Sequence, residues 1–330
     1  MNTADVAALV AGAPSIDAEA KAAVAARASV TLRPVGALAR TDEVAAWLAG
    51  WQRTSAPGVS NPAIVLAAGD HGVVARGVSA YPQGVTRAMV HAIEAGVATS
   101  SVLARHVGAE VVLIDAGVGV PTGDIVTEPA LSRADFVARL EQGRAAVAAL
   151  DCDLLAIGEM GIGNTTSAAA VVAAVVGGDP KEWVGPGTGV QGPALESKRA
   201  IVAEAVDRVG DVDPMEALRQ LGGGELVVLA GAVIEARLRS IPVVMDGFIA
   251  TAAVVALEAA APGALDHCLA SHVSAEPGHR HLLDWLGKTP LLSLAMRLGE
   301  GSGALMAIPL IRLAAASVIE VATFEEWGLA

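Results

Sequence analysis

The sequence predicts an α/β fold: a parallel, Rossmann-like sheet covered by helices. Two observations carry this. Short apolar runs rich in β-branched residues recur at 63–67, 110–114, 154–157, 242–245 and 267–270, separated by helical patterns. Near-continuous apolar strands alternating with helices describe a parallel sheet buried on both faces. Each run then exits into glycine and polar residues: Gly69-Asp70-His71-Gly72, Asp115-Ala116-Gly117, Gly158-Glu159, Asp246-Gly247 and Ser271-His272. The carboxyl ends of strands are where open α/β sheets bind ligands.

The remaining elements follow in order. Residues 1–55 are alanine-rich and helical in pattern, broken at Arg33-Pro34-Val35-Gly36, and Thr54-Ser55-Ala56-Pro57-Gly58 separates them from the first strand. At the other end, 291–298 and 304–322 read as helices. The 330 residues have room for one large α/β domain, or a large and a small one. Hydrophobic residues make up 53% and aromatics only 3%, so alanine and valine fill the core.

Net charge of −13 disfavours nucleic acid and anionic membranes as partners. Any anionic ligand must then be held by local groups. Cys152 and Cys268, the only cysteines, read as reduced core residues of a cytoplasmic protein. No cysteine–histidine spacing points to zinc, and no metal is expected. The N-terminus, MNTADVAALV, lacks a basic n-region, so no signal peptide is expected. Apolar stretches are broken before about 18 residues, so no membrane span is expected.

The segment GEMGIGNTTSAAA (158–170) is the most informative. Three glycines, a carboxylate, an amide and three hydroxyls fall within ten residues, between a strand and a buried helix. Glycines allow close backbone approach, and the first helical N–H groups point at an anion. Glu159 would repel a phosphate unless it faces another part of the ligand, which suggests a substrate with one anionic end. An ordinary strand-to-helix turn satisfies the same pattern. In LGEGSGA (298–304), Glu300 stands between glycines. A desolvated carboxylate there gains basicity; a capping loop with an exposed glutamate is the other reading. Asp70 and His71 make a catalytic pair on paper, but a structural role, with His71 holding its loop against the sheet end, fits better. His279 and His281 read as capping or solvating a helix start. No GxGxxG with an acidic partner about 20 residues on follows the first strand, which argues against a dinucleotide-dependent dehydrogenase.

Taken in order, AGDHGVVARGVSAYPQ (68–83), DAGV (115–118), GEMGIGNTT (158–166), VGPGTGV (184–190), DGF (246–248), SHVSAEPGHR (271–280) and MRLGEGSG (296–303) resemble the nicotinate-nucleotide–dimethylbenzimidazole phosphoribosyltransferase family. The resemblance runs from about residue 30 to the C-terminus. It implies a small helical domain built from both chain ends, here 1–59 with 301–330, and a parallel α/β catalytic domain, 60–300. It implies a cofactor-independent transfer of phosphoribosyl from nicotinate mononucleotide to 5,6-dimethylbenzimidazole or a related base, with inversion at C1′. It also implies a homodimer.

Residue by residue, the resemblance implies that Glu300 is the general base. Glu159 would orient the nucleotide, and Lys198 would neutralise the 5′-phosphate, although a solvated helix face also suits that lysine. Gly161, Gly163, Asn164, Thr165, Gly187, Thr188 and Gly189 are the phosphate candidates, with Ser274 and Gly278 near the same edge. Tyr81, Pro82 and Met89 are candidate walls for the flat acceptor base; a plain loop tyrosine is the other reading of Tyr81. Two segments depart from the family pattern. RPVGALAR (33–40) keeps part of a KPPGSLGR segment, and 119–132 lacks a longer basic loop, keeping EPALS (128–132). The second departure keeps open a paralogue that binds nucleotide or base without turnover.

Overall fold

A computed structural model describes residues 1–329. Five strands form one wholly parallel sheet: β1 (Pro62–Ala68), β2 (Glu110–Asp115), β3 (Leu154–Met160), β4 (Val243–Met245) and β5 (Cys268–Ala270), in the order β2-β1-β3-β4-β5. The chain therefore grows outward in both directions from the β1/β3 pair. That reversal is the topological switch point, outside which such sheets bind ligands.

Side chains alternate across the sheet with period two. Val65, Ala67, Leu155, Ile157, Val243 and Met245 face one side, against the helices Asn164–Val176, Gly224–Leu238 and Phe248–Ala260. Ile64, Leu66, Leu154, Ala156, Val244 and Leu269 face the other, against Ser302–Ile319, Thr99–Val107 and Ala39–Gln52. Small residues let helices approach closely. A Cβ on Gly143 would lie 1.9 Å from the Val228 carbonyl oxygen, and one on Gly231 would lie 2.1 Å from that of Leu140. The helices Arg133–Ala148 and Gly224–Leu238 therefore cross backbone to backbone.

The helix Ser302–Ile319 is apolar and long enough to span a bilayer, yet more than half of it is buried against this protein's own sheet. Leu305, Ile308 and Ile311 supply the packing. Each contributes about 1.5–3 kcal/mol, together more than the roughly 3 kcal/mol that Pro309 costs inside the helix. The helices Ala18–Ala28 and Ala39–Gln52 meet its far end through Val24, Ala28, Ala45, Ala46, Ala49 and Val318. The first helix, Thr3–Gly12, lies on the opposite face and buries Val6 in the larger core.

One expected element is not a helix. Residues 291–298 run extended beside the chain leaving β5: Leu291 N–H donates to Ala270 O at 3.1 Å, Leu292 N–H to Ser271 O at 2.9 Å, and Ala275 N–H to Met296 O at 2.9 Å. The apolar spacing is compatible with a helix, but the left-handed Ala295 (φ 52°) interrupts one. The unpaired edge beyond β5 offers these backbone groups partners instead.

Candidate active site

A cleft of about 200 Å³ opens at the carboxyl ends of β3, β4 and β5. The β3 turn supplies Glu159, Gly161, Asn164 and Thr165. The loop after the short helical turn Pro180–Trp183 supplies Gly187 and Thr188, the chain after β4 Gly247 to Ile249, and the chain after β5 His272, Ser274 and Glu276. Arg297 to Glu300 close one wall, and Tyr81 and Val85 stand at the mouth.

Glu159 leaves β3 buried, at 5% exposure. One carboxylate oxygen accepts a short hydrogen bond from the Asn164 side-chain amide. Asn164, expected as a phosphate group, therefore has that amide committed to Glu159. Burial, then the nearby charges of Asp246 and Glu225, push the Glu159 pKa well above the ordinary carboxylate range, with Asn164 opposing. Gly161 is required by close approach, since a Cβ there would lie 2.7 Å from the Gly69 carbonyl oxygen. Gly163 (φ 89°) caps the helix Asn164–Val176 and faces Val74, not the cleft.

Lys198 is 1% exposed, which excludes the solvated helix face. Its Nζ donates to Thr165 Oγ1 at 2.9 Å and to Gly185 O at 3.0 Å, so it stands behind the cleft wall and braces it. Burial lowers its pKa to about 8, opposed by the Glu276 charge. Glu276 in turn accepts from Gly187 N–H at 2.9 Å. Thr188 accepts from Ala80 N–H at 3.1 Å and so ties its loop to the Tyr81 segment. Gly189 does not line the cleft.

Glu300 lines the same cleft, beside the end of β3. Its N–H donates to Glu159 O at 3.1 Å, and Gly299, Glu300 and Gly301 are all left-handed, with φ of 82°, 57° and 69°. Only 4% of Glu300 is exposed, so the exposed capping loop is ruled out. Burial raises its pKa, opposed by hydrogen bonds from Ser100, whose Oγ lies 3.5 Å from Glu300 Oε2. The cleft thus holds two carboxyl groups, Glu159 and Glu300, both more basic than a solvated glutamate.

The acceptor-wall candidates divide. Tyr81 lines the mouth. Pro82 is exposed and outside the lining, and Met89 packs toward the sheet core, leaving Val85 as the wall residue from the helix Val85–Glu94. Asp70 and His71 are buried beneath the cleft. Asp70 accepts from Gly119 N–H at 2.7 Å. His71 Nδ1 lies 2.9 Å from Ser167 Oγ and Nε2 2.6 Å from Glu225 Oε1, so it holds its loop as expected. His279 corrects an expectation. It is a core residue, with Nδ1 accepting from Ser274 N–H at 2.9 Å and its pKa pushed to about 3 by burial. His281 remains exposed, edge-on to Trp183. Sequence reasoning missed the roles of Asp246, His272, Glu276 and Arg297. All four lie in motifs it singled out, but nothing in those motifs says which side chains turn inward. Among the described residues, no group of three His, Cys, Asp or Glu side chains is disposed to hold a metal ion.

A cleft at the carboxyl ends of a parallel sheet, with a glycine-rich turn, a buried lysine and two basic carboxyls, defines an α/β enzyme that handles a small anionic substrate. The family model described as Phosphoribosyltransferase matches residues 13–329, and the chain belongs to that family. A nicotinate-nucleotide–dimethylbenzimidazole phosphoribosyltransferase of Allorhizobium ampelinum is 48% identical over 318 residues, covering 96% of this chain and 93% of the relative. One of the same name from Cereibacter sphaeroides is 47% identical, covering 96% and 94%. Among solved structures, CobT from Thermus thermophilus superposes with a TM-score of 0.90 at 41% identity, covering 94% of this chain and 99% of its own.

Lys198 offers a pH test of this geometry. Its pKa is lowered on folding, so between about pH 8 and pH 10 the unfolded chain binds the extra proton and stability rises with pH. Relative to Lys198→Met, the wild type should gain up to about 3 kcal/mol over that window in urea unfolding. A difference that does not change with pH would show that folding does not lower the Lys198 pKa.

Proposed function

We propose that this protein transfers the phosphoribosyl group of nicotinate mononucleotide to 5,6-dimethylbenzimidazole or a related base. The products are α-ribazole 5′-phosphate and nicotinate, used in assembling the cobalamin nucleotide loop. The presence of Glu159 and Glu300 together in one cleft carries the reading, along with near full-length similarity to relatives of that name. The base attacks C1′ with a ring-nitrogen lone pair. The bond from C1′ to the pyridinium nitrogen breaks, and its electron pair stays on nicotinate, which leaves without needing an acid. The proton on the other ring nitrogen of the base passes to Glu300, whose burial suits it to accept one.

The helix-start turn, with Thr165, Gly187 and Thr188, faces the same space and is the proposed seat of the 5′-phosphate. Lys198 supplies positive charge from behind it. In an acidic chain, this is local charge of the kind such a ligand needs. Glu159, held by Asn164, is proposed to accept from the ribose.

We further propose a cytoplasmic homodimer. The outward face of Ser302–Ile319 exposes Met306, Pro309 and Leu313, an apolar stripe on the helix that begins beside Glu300. Sedimentation equilibrium should give twice the chain mass, and Leu313→Glu should shift it toward the monomer. A wild-type monomer at assay concentration would overturn the dimer.

The catalytic reading predicts base-dependent nicotinate release that falls about 10²–10⁴-fold in both Glu300→Gln and Glu300→Ala. In the wild type, kcat should rise with pH through a limb lying above the ordinary glutamate range, because Glu300 must be ionised to accept a proton. Nucleotide binding without release by the wild type would instead indicate a non-catalytic paralogue.

A further inference from the structure

We propose that Asp246 is a positioning residue, whose buried carboxylate sets the left-handed turn that presents Glu300 to the cleft. The inference rests on the reading of Glu300 as the base. Asp246 follows β4 at 1% exposure and does not line the cleft, so it is no candidate for substrate contact. Its two oxygens take three backbone donors from the chain just after Glu300. Oδ2 accepts from Gly301 N–H at 3.1 Å, and Oδ1 from Gly303 N–H at 2.8 Å and Ala304 N–H at 3.1 Å.

These are the orphan donors at the start of the helix Ser302–Ile319, so one side chain caps the helix and fastens the turn. The Asp246 backbone is itself fixed, since its carbonyl accepts from Ser271 Oγ at 3.0 Å. From the other side, the turn leans on β3. A Cβ on Gly158 would lie 2.3 Å from the Gly301 nitrogen, and Glu300 N–H is held by Glu159 O.

The charge state of Asp246 matters to this geometry. Three N–H donors converge on the two oxygens, so an NH₂ group in place of either oxygen would set donor against donor. The ionisable groups around Asp246 are Glu300 and Glu159, which oppose its ionisation, and His272, whose Nδ1 lies 3.8 Å from Oδ1. Burial keeps His272 neutral, with a pKa near 4. The backbone donors are therefore the groups that favour the ion, and burial still lifts the Asp246 pKa to about 7. A left-handed glutamate is a conformation that the surroundings must enforce. Asp246 is the side chain placed to enforce it.

The test is a double-mutant cycle on nicotinate release, using Asp246→Asn, Glu300→Gln and the pair. Asp246→Asn should lower kcat about 10²-fold and leave KM for the nucleotide within about threefold. The pair should be no more than about threefold slower than Glu300→Gln alone, because a residue acting through Glu300 has nothing left to position. Losses that multiply, or a kcat for Asp246→Asn within threefold of wild type, would overturn the proposal.

Amide exchange separates this from failure of the base reading. Asp246→Asn should speed exchange at Gly301, Gly303 and Ala304 by about tenfold or more, whatever Glu300→Gln does to the rate. Unchanged exchange would sink the positioning role even if Glu300 proves to be the base. If the variant does not fold, the wild type still decides: these three amides must be protected relative to an unstructured chain, and unprotected amides contradict the clamp.

Discussion

The site depends on one backbone contact, where the end of β3 meets the turn Gly299-Glu300-Gly301. Glu300 N–H bonds to Glu159 O, and Gly158 lets the Gly301 backbone come within the distance a side chain would occupy. Two segments about 140 residues apart in sequence are thereby joined at the level of the main chain. Both carboxylates ride on this junction. Neither could shift without moving the other, because the groups that hold them belong to the backbone and to buried side chains such as Asn164.

Electrostatics follow from that crowding. Glu159, Glu300, Asp246 and Glu225 are all buried around one edge of the sheet, in a chain whose net charge is already −13. Desolvation first, and then repulsion from neighbouring carboxylates, hold Glu159 and Asp246 above the ordinary carboxylate range, and burial does the same for Glu300. Such a cluster is costly to fold and useful for moving a proton. Lys198, behind the wall at Thr165, is a buried ammonium whose burial cost is offset by Thr165, Gly185 and Glu276.

Much of this was legible in the sequence, for definite reasons. Four strands could be read because parallel strands buried on both faces are unbroken apolar runs, and the half-exposed edge strand β2 because its valines, leucine and isoleucine still run together. The two glutamates stood out because glycines isolate them from any helix face. The 291–298 segment misled because its leucines suit either a helix or an extended chain, and only the free edge beside β5 decides between them. Met89 and Gly163 fell in or near the right motifs but face partners away from the cleft, and Asn164 lines the cleft with its side-chain amide committed to Glu159. Asp246 and Glu276 were invisible as site residues. Their partners are backbone N–H groups of distant loops, and no local spacing encodes those.

The most direct test is a crystal structure of the protein with its products, nicotinate and α-ribazole 5′-phosphate. The account predicts the phosphate at the Thr165 and Gly187 corner, and Glu300 within about 3 Å of the base ring nitrogen not bonded to ribose. A product seated with its base away from Glu300, or with its phosphate outside that corner, would contradict it.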